Sequence, residues 1–450
     1  MTQPPPDPAR GKEVFDLDRS YVFHSWSAQA QISPLPVAGG EGSYFWDFDG
    51  NKYLDFSSQL VFTNIGHQHP KVIKAIQEQA GVYTTVAPQH ANEARGEAAK
   101  RITARAGAHH NKVFFTNGGA DGIENAIRLV RLHTNRHKIL SFYRSYHGNT
   151  GAAISSTGDP RRWPNEYAYG HVHFFGPYLY RSAFWAHNEE EECKRALEHL
   201  EQVIIFEGPN TIAAILIESV VGTAGVLVPP VGYLEGVRAL CDKYGIKWIA
   251  DEVMSGFGRT GKWFAYQHST AEPDLIVFAK GVNSGYVPLG GVIISDEIAA
   301  TFNDRVFPGG LTYSGHPLAT AAAVATLDVM ADEKIVENAA AMGENVIKPL
   351  IQELMAKHKV IGEVRGKGVF WALDLVTDRA TRAPLAPYGA SSPAMNELVA
   401  ACKKLGLFPF NNYNRMHICP PCNITEAELR EGFAILDQAF ASIAHHYTGE

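Results

Sequence analysis

The sequence predicts an α/β protein built on a mostly parallel central sheet, with a second, smaller α+β region. Three observations carry this. Between about residues 112 and 295, short β-branched or aromatic runs alternate with helical stretches. Those runs are continuously apolar, as strands covered on both faces must be. Beyond about residue 330 the texture changes to a long helix, a strand pair and a Pro-rich loop.

Composition narrows the class of function. A chain of 450 residues has room for two or three domains of about 150 residues each. With 45% hydrophobic and only 19% charged residues, it is too apolar for a disordered chain. Lys plus Arg (40) less Asp plus Glu (47) gives a net charge of −7, which offers no footprint for nucleic acid or an anionic membrane. Small-molecule chemistry is the expectation. Five scattered cysteines, an odd number, do not form a disulfide framework. The opening MTQPPPDPARGKEVFDLD lacks the basic head and apolar stretch of a signal peptide, and no apolar run reaches the ~18 residues that span a bilayer. A cytoplasmic location is expected.

Taken in order, residues 1 to about 20 are expected to be a frayed arm. GSYFWDFDGNKYLDF then forms a hairpin about the turn Asp47-Phe48-Asp49-Gly50. HPKVIKAIQEQAG and HANEARGEAAKRITARAG are helices, each closed by its glycine. The candidate strands of the α/β stretch are KVFFT, KILSFY, IAAILIE, IKWIAD, DLIVFAK and GGVIIS. A long helix runs through Asn338 to Lys357, and strands lie near VRGKGVFWALDLV, followed by the loop APLAPYGASSP. The last helix opens on a capping box, Thr425 with Glu428, and repeats Leu429, Phe433, Leu436, Phe440 and Ile443 at helical spacing.

Ligands of open parallel sheets bind at the carboxyl ends of the strands, so the residue closing each apolar run carries the information. KVFFT is followed by Asn117-Gly118-Gly119-Ala120-Asp121 and a helix with Ile123, Ile127 and Val130 on one face. Glycines before a helix N-terminus suit a phosphate, although an ordinary strand-to-helix turn has the same form. KILSFY leads to Tyr146, which either lies flat on a planar ligand or packs. IAAILIE closes on Glu218 and IKWIAD on Asp251, carboxylates that need a partner to be desolvated. DLIVFAK closes on Lys280, whose ammonium either snorkels to water or is desolvated into a nucleophilic amine. Phosphate cradle, aromatic wall, carboxylate and amine together describe one ligand, pyridoxal 5'-phosphate.

The stretches DEVMSGFGRTG (251–261) and FAKG (278–281), with Tyr146-His147-Gly148 upstream and Thr312-Tyr313-Ser314-Gly315-His316-Pro317 downstream, resemble a class III aminotransferase from about residue 20 onwards. HSWSAQAQ, LDFSSQLVFTNIGHQHP and PQHANEARGEAAKRI are most similar to the ω-amino acid:2-oxo acid group, which includes taurine and β-alanine transaminases. The resemblance implies the fold type I of pyridoxal-phosphate-dependent transferases, in which 1–60 contributes to the small domain, 61–328 forms the large cofactor domain and 329–450 completes the small domain. It implies a covalent link from Lys280 to the cofactor, Asp251 at the ring nitrogen and Tyr146 on the ring. Gly118, Gly119 and Ala120 would bind the phosphate, with Glu218 and Val253 beside the cofactor. Thr312 would reach the phosphate of a partner subunit, making the protein a homodimer, or a tetramer, with shared sites. Trp26, Leu60 and Phe62 lie in segments that line the family's substrate pocket, and each has a packing role as its alternative.

Two departures are visible. Gly118-Gly119-Ala120-Asp121 stands where relatives carry Ser-Gly-Ser-Glu, so one hydroxyl to the phosphate is missing. In PFNNYNRMHICPPCNIT, alignment on Pro420-Pro421 puts Phe410 and His417 at the usual arginine positions and leaves Arg415 as the local candidate for a substrate carboxylate. That absence favours pyruvate over 2-oxoglutarate as acceptor. Cys419-Pro420-Pro421-Cys422 has redox spacing but opens no helix and is read as packing. The 19 histidines show no metal-ligand pattern such as HExxH, and none of them is read as a metal ligand. Amino transfer is the expected reaction. The alternatives are another pyridoxal-phosphate reaction (phospholyase, decarboxylase or aminomutase) and a non-catalytic binding protein of the same fold.

Overall fold

The computed structural model describes residues 4–450. Its centre is a seven-stranded sheet in the spatial order Lys112–Thr116, Gly290–Ile294, Leu275–Phe278, Lys247–Asp251, Ile212–Glu218, Lys138–Phe142 and His171–Phe174. Gly290–Ile294 runs antiparallel to both neighbours, and every other pairing is parallel. All seven residues of Ile212–Glu218 are buried, as a central strand covered on both faces requires. On one face the helix Gly119–Thr134 sets Ile123, Ile127 and Val130 against Leu275, Val277 and Val292. On the other, Val237 and Cys241 of the helix Tyr233–Tyr244 join Ile215, Ile217 and Trp248.

The hairpin is present as Tyr44–Asp47 against Lys52–Asp55. The second of these strands pairs in parallel with Leu407–Phe408, so the two ends of the chain share a sheet. A separate antiparallel sheet holds Ile361–Lys367, Phe370–Asp378, Arg415–Ile418 and Phe410–Asn412. The last helix, Glu426–Ser442, opens on the expected Thr425–Glu428 capping box and buries Leu429, Phe433, Leu436 and Phe440.

Four expectations need correction or addition. The frayed arm is a helix over Pro8–Tyr21, capped by the Asp7 side chain accepting from the Arg10 N–H and started by Pro8; residues 1–3 of the arm lie outside the described residues. Gly81 does not close its helix, which runs over Pro70–Val82, and the next ends at Thr103, before Gly107. Neither glycine has a positive φ, so neither takes the left-handed conformation that ends a helix. The helix through Asn338 to Lys357 contains a π turn at Gly343–Ile347. A strand not foreseen, His171–Phe174, edges the large sheet. Among the described residues, no helix is long and apolar enough to cross a membrane.

Candidate active site

Parallel pairing puts the strand ends side by side. Glu218 and Asp251 are register partners in adjacent strands, 5% and 3% exposed. Two carboxylates this close in a desolvated place cannot both ionise freely, and their environments separate them. Glu218 is pushed up to about 7, first by burial and then by the charge of Asp251. Its oxygens accept from the backbone N–H of Gly222 at 2.7 Å and of Tyr146 at 3.2 Å. Asp251 has a stronger partner: its Oδ2 lies 2.7 Å from Nδ1 of His147, and its Oδ1 accepts from the Val253 N–H at 3.0 Å. Glu218 is therefore the group of the pair that holds a proton near neutrality.

Lys280 follows the strand Leu275–Phe278, whose Val277 is the register partner of Asp251. It opens a single 3-10 turn, Lys280–Val282, with φ at +46°, a strained conformation for a lysine. Burial lowers its pKa, opposed by the charges of Asp251 and Glu218. Gly281 has to be glycine, since a Cβ there would lie 2.4 Å from Nδ2 of Asn64.

At the start of the helix Gly119–Thr134, the N–H groups of Gly119, Ala120 and Asp121 have no intrahelical acceptor. Two close approaches shape the cradle. A Cβ on Gly119 would sit 2.9 Å from the Val253 methyls, and one on Gly148, at φ +132°, would sit 2.5 Å from the Ala120 Cβ. Gly118 is the N-cap in extended backbone.

Tyr146 carries the guanidinium of Arg161 on its ring, 3.5 Å from the centroid. Arg161 is anchored by Asp159, whose two oxygens accept from its Nε at 3.1 and 3.0 Å. Neither Arg161 nor His147 was singled out from sequence. His147 adjoins the Tyr146 motif and could have been read there, whereas Arg161 lies in an aperiodic run that gives no local signal.

The substrate-side candidates are more dispersed. Trp26 and Leu60 are 65% and 46% exposed, and Phe62 packs on Gly285, where a Cβ would lie 2.4 Å from its ring. Ser58, Gln59 and Val61 all have positive φ. This strained turn is pinned by the fully buried Arg259, whose Nη2 donates to Ser58 Oγ at 3.2 Å and to Asn64 Oδ1 at 2.8 Å. Arg415 is buried, its stem against Gly225, and burial lowers its pKa. His417 packs against Phe410 with ring centroids 4.6 Å apart and planes tilted by 37°, and burial pushes it down to about 3, so the usual arginine positions hold a neutral aromatic pair. Thr312 is exposed. Cys419 and Cys422 are buried free thiols, consistent with packing.

A lysine whose charge is disfavoured, a buried carboxylate held by histidine, an aromatic wall and a helix N-terminus beside a tight glycine cradle fit pyridoxal phosphate group by group. The fold and the site define a pyridoxal-phosphate-dependent α/β transferase. The aminotransferase class-III family model matches residues 26–440. A taurine–pyruvate aminotransferase of Bilophila wadsworthia is 32% identical, aligned over 97% of this chain and 98% of the relative. A 5-aminovalerate aminotransferase of Pseudomonas aeruginosa is 35% identical over 92% and 95%. Among solved structures, a taurine:2-oxoglutarate aminotransferase of Bifidobacterium kashiwanohense, in complex with PLP and glutamate, is 43% identical with a TM-score of 0.94, covering 97% of this chain and 99% of that one. The chain belongs to the class III aminotransferases and is an enzyme of their pyridoxal-phosphate-dependent, ω-amino acid group.

Proposed function

We propose that the chain moves an amino group from an ω-amino acid or primary amine, of the taurine or β-alanine kind, to a 2-oxo acid, pyruvate or 2-oxoglutarate, by a ping-pong mechanism. One observation carries the reading: Lys280, its ammonium form disfavoured by burial, follows the strand adjacent to the Asp251–His147 pair. When bound, pyridoxal phosphate would supply an electron sink for the bonds at the substrate carbon that bears the nitrogen. Asp251, fixed by His147, keeps the proton on the ring nitrogen. Lys280, neutral more readily than a lysine in water, would accept at its Nζ the proton leaving the substrate carbon that bears the nitrogen, and so act as the general base. The first-turn N–H groups at Gly119 and Ala120 hold the phosphate, backed by Val253, and Tyr146 walls the ring. The acid group of Glu218, with a pKa of about 7, keeps a second full negative charge away from Asp251.

Thr312 is proposed to complete the phosphate site of a second copy, so that the working unit is a homodimer. The pairing of Lys52–Asp55 with Leu407–Phe408 supports a division into a large domain, 61–328, and a small one assembled from 1–60 and 329–450.

The test is Lys280→Ala in the holoenzyme. The variant is expected to fold and keep cofactor while turnover falls by about 10²–10⁴-fold or more. Undiminished turnover rules the assignment out. Donor alone should convert the cofactor to its amino form, which a phospholyase, decarboxylase or aminomutase has no need to accumulate.

A further inference from the structure

The last helix is followed by a single 3-10 turn, Ala444–His446, which brings two adjacent histidines beside Glu397 of the helix Pro393–Lys404. The supports of this turn are rigid. The helices Pro393–Lys404 and Glu426–Ser442 pack on each other, burying Leu398 and Cys402 of one with Leu436 and Phe440 of the other. Beyond the turn, the N–H groups of Thr448 and Gly449 both donate to the Thr377 carbonyl, at 2.8 and 3.1 Å. The histidines are therefore held from both sides.

Nε2 of His446 lies 2.9 Å from Oε2 of Glu397, and Nε2 of His445 lies 3.8 Å from the same oxygen. The two ring centroids are 4.0 Å apart, and one ligand atom from each of the three residues falls within 4.8 Å of the others. A plain ion pair accounts for His446 alone, because 3.8 Å is too long for a hydrogen bond. A shared metal ion accounts for both. Two atoms bound about 2.1 Å from one tetrahedral ion stand about 3.4 Å apart, so shifts of about 0.5 Å bring both nitrogens into place. Nδ1 of His445 lies 3.2 Å from the Ser442 carbonyl, which can only accept; the ring proton sits there and leaves the Nε2 lone pair free for a metal. Among the described residues, these histidines are the only ion-pair partners of Glu397. With side chains 62%, 28% and 43% exposed for His445, His446 and Glu397, water has access to the remaining coordination position. Imidazole nitrogens suit a transition metal better than Mg²⁺ or Ca²⁺.

We propose that Glu397, His445 and His446 form a binding site for a divalent transition-metal ion, Zn²⁺ being the one whose tetrahedral geometry three such ligands and a water complete, and that the ion staples the C-terminal turn to the helix Pro393–Lys404. No spacing motif in the sequence reveals the site, because 49 residues separate His446 from Glu397.

The test uses the untagged holoenzyme, stripped with a chelator and titrated calorimetrically with zinc chloride, as wild type, His445→Gln, His446→Ala and Glu397→Gln. Thermal unfolding of each is followed with and without zinc. Wild type is expected to take up one equivalent, and each substitution to weaken binding about tenfold or more. Zinc should raise the unfolding midpoint of wild type and lose that effect in the variants. His445→Gln is the decisive variant, since it removes only an exposed side chain and keeps the Glu397–His446 ion pair. Unchanged zinc affinity in His445→Gln reduces the cluster to that ion pair and overturns the proposal, as does a wild type that takes up no zinc.

Discussion

Glu218 and Asp251 carry the same functional group and are neighbours in register, yet they differ in chemistry, because His147 and the Val253 N–H bond only to Asp251. The raised pKa of Glu218 has a thermodynamic signature. Its folded value of about 7 exceeds its ordinary 4.5, so its stabilising effect is complete below about pH 4.5 and is lost as pH rises through 7. In the cofactor-free protein, this one group should make wild type lose about 3 kcal/mol between pH 4.5 and 8 relative to Glu218→Gln. Chemical denaturation of both proteins across that range is the check, and parallel stability curves would refute the assignment. Asp251, Tyr146 and Lys280 were legible in the sequence because each closes or follows an apolar run whose burial leaves a polar end at the sheet edge. Arg161 was not, since an arginine in a loop has no periodic pattern and its significance lies in the Asp159 carboxylate and the Tyr146 ring that it meets only in the fold.

At the scale of elements, the contact between Gly148 and Ala120 joins the Tyr146 turn to the first turn of the helix Gly119–Thr134. Gly148→Ala adds a Cβ 2.5 Å from that of Ala120 at a φ of +132°, so helix and turn must separate. The expected result is cofactor retention weakened about tenfold or more, read by equilibrium dialysis, at a stability cost of about 1–3 kcal/mol. Retention equal to wild type would show that the phosphate is not held there. The strands were mostly readable because buried strands are uniformly apolar. His171–Phe174 escaped because an edge strand is half exposed, and its alternating histidines match no buried run.

The proposed sharing of sites between two copies makes a prediction at the scale of the whole molecule. In a mixed dimer of Lys280→Ala and Thr312→Ala chains, one site combines both substitutions and the other has its own Lys280 with the partner's threonine. Mixing after partial dissociation should therefore raise activity above the average of the two separate variants. No gain in a mixture shown by mass spectrometry to contain heterodimer would place Thr312 outside the partner's site.

By itself the sequence determined the α/β class, the strand-end residues and the cofactor they fit, because those properties follow from local patterns: an apolar run must be buried, and what closes it lies at the sheet's ligand-binding edge. The tertiary structure alone decided two things: that Lys52–Asp55 pairs with Leu407–Phe408, and that His147 is the side chain that holds Asp251. Each depends on groups far apart in the chain. The charge balance of a buried place is a sum over all elements packed around it, which no single segment contains.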